Sequence, residues 1–131
     1  VRIRHDRERC GFARRLLSSG ERPTAIIYDN DVMAIAGLGV AHEMGLSVPR
    51  DVSIVAWDDS PLCQLVHPAL TALSRDIPGY GALAARQSLS VIARKTVESV
   101  QDKAPHLVTR GSTAAPPRDR VHEVESTRSD G

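Results

Sequence analysis

The sequence is short of several things that define large classes of proteins. Two cysteines, Cys10 and Cys63, stand far apart in 131 residues with no CxxC spacing. No disulfide framework is expected, and a reducing compartment fits. His5, His42, His67, His106 and His122 are scattered without ligand spacing to one another or to either cysteine, so no metal site is predicted. No apolar run approaches the roughly 20 residues of a membrane span, and the opening VRIRHDRER has no secretory apolar region. The expected setting is cytoplasmic, with no membrane partner. Neither sign of charge dominates, since 17 basic side chains meet 16 acidic ones and leave +1. A global attraction to nucleic acid is therefore absent, and contact with it would need a local patch. The densest candidate is residues 1–22, where Arg2, Arg4, Arg7, Arg9, Arg14, Arg15 and Arg22 cluster but Asp6, Glu8 and Glu21 interrupt them. A solvated helix face is preferred there over a phosphate-binding surface. There is also no GxxxxGK phosphate loop and no GxSxG elbow. Neither a catalytic apparatus nor a cofactor is expected.

What is present is the composition of one soluble α/β domain, 41% hydrophobic and 25% charged. Period and punctuation predict a helix over 7–19 ended by Gly20, a strand at 25–28, and a helix over 32–44 opened by Asp29-Asn30-Asp31 and stopped by Gly45. A loop with Pro49 follows, then strands at 53–57 and 70–74, a long helix over 79–100 after Pro78, and a short strand at 107–109. Two apolar strands flanking one helix form a βαβ unit. The fold class is thus α/β, a three-layer parallel sheet with helices on both faces and a right-handed crossover. The domain is expected to span 1–115. Over 116–131 Pro, Arg, Asp, Glu and Ser prevail, which predicts a disordered tail.

The candidate ligand-binding residues follow from this topology. Asn30 lies just past the first strand and Asp58-Asp59 just past the second, on the rim where open parallel sheets bind ligands. An amide and a carboxylate together supply donors and acceptors, as hydroxyl-rich ligands require. The competing readings are that Asn30 or Asp31 caps the helix and that Asp58-Asp59-Ser60-Pro61 makes a turn. Capping is preferred for Asp31, and ligand contact for Asp58. Trp57 could stack on a sugar ring, although core packing is the preferred role. The helix beginning at Val32 is apolar all round. Either its own domain buries it entirely, or a partner subunit covers its outer side, with Gly37 and Gly39 allowing close approach. Gly79-Tyr80-Gly81-Ala82-Leu83-Ala84 matches the GxGxxA outline of a dinucleotide site. Asp76-Ile77-Pro78 separates those glycines from the strand, and Glu98 falls in the same helix, so the fit is poor.

The stretch RPTAIIYDNDVMAIAGLGVAHEMGLSVPRDVSIVAWDDSPL resembles LacI/GalR-type transcription regulators, as do Leu70-Thr71 and the closing Leu107-Val108-Thr109-Arg110-Gly111-Ser112-Thr113. The resemblance covers about residues 6–117. It implies a periplasmic-binding-protein-like (type I) effector domain of two lobes, of which these residues form part. It implies effector contact by Asn30, Asp58 and the position of Arg75, where an Arg in place of a common Gln points to a different or anionic effector. It implies a homodimer interface on the helix from Asp31 and the loop after Asp59, assigned here to Val32, Ile35, Ala36, Gly39 and Leu62. Leu73 and its successors would cross between lobes, and the helix after Pro78 would pack on the other lobe. The expected function is sugar-effector sensing and dimerisation in a regulator that meets operator DNA only through a helix-turn-helix, which has no counterpart in these residues. A periplasmic sugar-binding protein of the same fold is the alternative. A nucleotide-dependent enzyme built on Gly79 and Gly81 is the more distant one.

Overall fold

The computed structural model describes residues 6–116 apart from 98 and 102, with side chains described from Gly11 onward. Its elements are α1 (Asp6–Leu17), β1 (Ala25–Tyr28), α2 (Asp31–Glu43), β2 (Ser53–Ala56), α3 (Leu62–Leu65), β3 (Thr71–Ser74), α4 (Ile77–Ile92) and β4 (His106–Val108). The strands form one sheet in the order β1-β2-β3-β4. The first three are parallel, and β4 joins β3 antiparallel. The sheet is therefore mostly parallel. The expected tail, 116–131, lies outside the described residues beyond Pro116.

Side-chain alternation explains the main core. Ile26 and Tyr28 of β1, Ile54 and Ala56 of β2 and Ala72 of β3 share one sheet face and pack with Met33, Ala34 and Leu38 of α2, Cys63 of α3 and Leu70. A second cluster ties Ala13 and Leu17 of α1 to Val40 and Ala41 of α2 and to Val52. Strand β2 is largely buried on both faces, as its unbroken apolar run predicts, whereas Ile27 on β1 is 66% exposed on the face away from α2.

Helix α2 has well-defined ends. The Asn30 side chain accepts from the Met33 N–H at 2.9 Å, so the cap is Asn30 rather than Asp31. Gly45 takes φ +72. Its N–H reaches the His42 carbonyl, and the Leu46 N–H reaches the Ala41 carbonyl. This paired closure needs a left-handed residue just past the helix.

Helix α4 departs most from expectation. It starts at Ile77 because the Asp76 carboxylate accepts from the Gly79 N–H at 2.9 Å, and Pro78 sits in the first turn, where no N–H is needed. It ends at Ile92, not near residue 100. Arg94, at φ +52, closes it with bonds from the Arg94 N–H to Val91 and from the Lys95 N–H to Ser90. None of its residues is buried. Helix α3, in the expected loop after Asp59, is a short addition.

Candidate functional site

The carboxyl ends of β1, β2 and β3 lie side by side. Tyr28 pairs with Ala56, so Asn30 and Asp58, each two residues further on, stand at matching register. The Trp57 N–H donates to the Tyr28 carbonyl at 2.9 Å and carries the pairing past the strand end. Ala56 pairs with Ala72, which sets Arg75 three residues beyond on the next strand. Neighbouring strands are about 4.8 Å apart, so the three positions span roughly 10 Å of rim. The fold thus brings Asn30, Trp57, Asp58 and Arg75 to one edge.

The individual side chains differ in what they have left to offer. Asn30 is half-buried, and its carbonyl oxygen is engaged as the cap, but its two N–H donors are not needed for that bond. Capping and ligand contact are therefore compatible. Asp58 and Arg75 are exposed. Trp57 is 45% exposed, which corrects its preferred assignment to the core. Ile54 and Ala56 face α2, so the next residue has the opposite parity and emerges past the last strand residue, where its ring is accessible.

The turn after β2 is held at several points. Asp59 and Arg110 form a two-pronged ion pair at 2.8 and 3.0 Å, with side chains 11% and 15% exposed respectively. Arg110 Nη1 also donates to the Leu70 carbonyl at 2.8 Å. Hydrogen bonding to Asp59 raises the Arg110 pKa further above its ordinary value, so the guanidinium stays charged. Ser60 donates to the Asp31 carboxylate, and the Cys63 thiol lies 3.5 Å from the Asp58 carbonyl. Burial pushes the Cys63 thiol pKa up, keeping it neutral.

Below the turn, Ser112 joins β2 to β3. Fully buried, it donates to the Ile54 carbonyl at 2.6 Å and accepts from the Thr71 N–H at 2.8 Å. Its own carbonyl accepts from the Ile54 N–H at 2.9 Å. The roles of Asp59, Arg110 and Ser112 in this junction were not read from the sequence. The doubled Asp was the available signal, because alternation sends consecutive side chains to opposite sides.

The proposed partner surface on α2 lies beside the buried face and shares Ile35 with it. Met33, Ala34, Gly37, Leu38, Val40 and Ala41 are buried, while Val32 is 53% exposed, Gly39 is exposed, and Ile35 and Ala36 are half-buried. The last four follow i, i+3, i+4, i+7 spacing; Val32, Ala36 and Gly39 offer outward surface, while Ile35 also packs against the main core. Leu62, on α3, is 46% exposed. Gly37 does not serve a partner. A Cβ there would lie 2.2 Å from the Tyr28 hydroxyl oxygen, so this glycine makes room for an internal ring.

The GxGxxA segment is occupied differently from a dinucleotide site. The Asp76 carboxylate sits against the Gly79 N–H, where a pyrophosphate would need to lie, and like charges oppose that placement. A cavity of about 280 Å³ lies along α4, between Tyr80, Leu83, Ala84 and Gln87 on one side and Ser99 and Val100 on the other. It is separate from the rim residues. Among the described residues no group of three His, Cys, Asp or Glu could hold a metal ion. No helix among them is long and apolar enough to cross a membrane. Of the arginine-rich start, Arg14 and Arg15 are exposed and Arg14 pairs with Glu43. The side chains of Arg2, Arg4, Arg7 and Arg9 fall outside the described residues.

The class the fold defines is an open, mostly parallel α/β lobe, whose ligand sites, where it has them, lie at the carboxyl ends of the strands. Residues 2–113 match the periplasmic binding protein-like domain model, and the chain belongs to that family, as part of the effector-binding domain of a LacI/GalR-type transcription regulator. A transcriptional regulator MalR of Streptomyces coelicolor is 38% identical over 102 residues, which make up 77% of this chain and 30% of that protein. A LacI family regulator from Bifidobacterium animalis superposes with TM-score 0.81 at 47% identity, over 85% of this chain and 41% of that one. Another, from Arthrobacter sp. FB24 in complex with lactose, gives TM-score 0.70 at 25% identity, over 81% and 41%. These relatives are transcription regulators, not enzymes. The chain spans about 30% of the length of the curated relative.

Proposed function

We propose that this chain forms one wall of a sugar-effector pocket and part of a dimer interface in a ligand-responsive transcription regulator of the cytoplasm. The observation that carries the reading is the rim itself: three successive parallel strands deliver Asn30, Asp58 and Arg75, with Trp57 exposed beside Asp58. Sugar hydroxyls both donate and accept. Asp58 accepts, the Asn30 amide and the Arg75 guanidinium donate, and the Trp57 face suits the apolar side of a sugar ring. The lactose held by the Arthrobacter regulator supports a carbohydrate. Arg75 adds a positive charge that favours an acidic or phosphorylated sugar.

The effector acts by differential affinity. It shifts the regulator only as far as it binds one arrangement of lobes better than another, and operator affinity changes through the linked DNA-binding domain. Dimerisation is supported by the exposed Val32 and Leu62 and by Ala36 and Gly39 beside them, with half-buried Ile35 at the edge of the core, since apolar surface left to water favours a second surface.

In the complete regulator Asp58→Ala should abolish the effector response while operator affinity in the absence of effector stays as it is. An unchanged effector dose response would remove Asp58 from the pocket. Ile35→Asp should convert dimer to monomer in sedimentation, and an unaltered dimer would place the interface elsewhere.

A further inference from the structure

Asp58 and Asp59 are neighbours with opposite fates. One is exposed on the rim, whereas the other is almost buried and gripped by Arg110 through two bonds. Arg110 comes from the far end of the chain, beyond β4, and its guanidinium simultaneously holds the Leu70 carbonyl at the entrance to β3. Its backbone N–H donates to the Thr71 hydroxyl at 2.9 Å. One side chain therefore locks the turn that carries Trp57 and Asp58 onto the strand that leads to Arg75. The excursion it closes, from Asp59 through α3 to Leu70, is anchored in the core by Cys63 and Leu70 and tied internally by the Leu70 N–H to the Cys63 carbonyl, but the Asp59 side chain itself is held by Arg110.

We infer that Asp59 and Arg110 are positioning residues for the effector rim: their ion pair fixes Asp58 relative to Arg75, and sugar affinity depends on it beyond any effect on folding. This rests on the sugar-pocket reading given above. The planar fork is essential, because a two-pronged bond fixes orientation as well as distance, which a lysine point charge does not.

The experiment uses the complete regulator and titrates lactose, maltose, glucose, galactose, ribose and glucose 6-phosphate by calorimetry, with thermal unfolding followed in parallel. For whichever sugar binds the wild type, Arg110→Lys should weaken affinity about tenfold while the protein remains folded at the titration temperature. Asp59→Glu keeps the charge but displaces the turn by one methylene, and it should weaken affinity as well. Ser112→Ala is the control. It destabilises the same sheet junction without touching the turn and should leave affinity unchanged. If Arg110→Lys and Asp59→Glu bind as the wild type does while Asp58→Ala does not, the positioning role is overturned and the pocket stands. If Arg110→Lys and Asp59→Glu weaken binding only in proportion to lost stability, as Ser112→Ala then also does, the pair is only structural and the inference is overturned. If no sugar binds the wild type, or Asp58→Ala binds normally, the pocket reading itself falls and takes the inference with it.

Discussion

Helices α2 and α4 make an instructive pair. Both are rich in apolar residues, and both end in the same left-handed closure, yet α2 buries six of its 13 residues and α4 buries none of its 16. The difference is supply of surface. Helix α2 lies on the sheet face built by Ile26, Tyr28, Ile54, Ala56 and Ala72, with α1 along its flank. Helix α4 has no comparable surface among the described residues and leaves Ile77, Leu89, Val91 and Ile92 largely in water. Apolar content makes a helix capable of packing, but another element must meet it.

The comparison can be broken most directly by truncating one leucine on each helix. Leu38→Ala in α2, at a site 4% exposed, should cost about 2–5 kcal/mol of stability by denaturant unfolding. Leu89→Ala in α4, at a site 66% exposed, should cost under about 0.5 kcal/mol. Equal losses would show that α4 packs as firmly as α2. Next in size is Gly37→Ala. The added methyl meets the Tyr28 ring, with a carbon as near as 2.4 Å, and overpacking of this kind should cost about 1–3 kcal/mol in the same assay. An unchanged midpoint would mean that the ring is free to move aside. The smallest effect belongs to the helix ends. Gly45 carries its positive φ without strain, whereas Arg94 carries φ +52 with a Cβ. Arg94→Gly should stabilise the protein by up to about 1 kcal/mol, since relief of the left-handed strain outweighs the extra freedom gained by the unfolded chain. A lowered unfolding midpoint would overturn that balance.

Legibility followed locality. The βαβ unit was readable because short apolar runs, capping residues and Gly45 are local signals, and their order admits few topologies. Asn30 and Asp58 were readable as a rim for the same reason, since strand ends and parallel order place them without side-chain detail. The far end of α4 was missed because an apolar pattern continues toward Val100, while the closure at Arg94 uses a residue that ordinarily avoids φ > 0. Trp57 was misjudged because hydrophobicity alone does not tell which face of a strand a residue takes. The bond from Asp59 to Arg110 spans 51 positions, a separation at which no local pattern speaks.

For the rim, then, the sequence alone determined that Asn30 and Asp58 stand at the ends of two adjacent parallel strands, because backbone propensity and connection length decide that much. Arg75 entered through the family resemblance, and its place beside them through the pairing of β3 with β2. Only the tertiary structure decided which of two adjacent aspartates faces water and which is clamped. That choice depends on where Arg110 and Ser112 return to the sheet, and their return is set by packing across the whole domain rather than by any neighbouring residue.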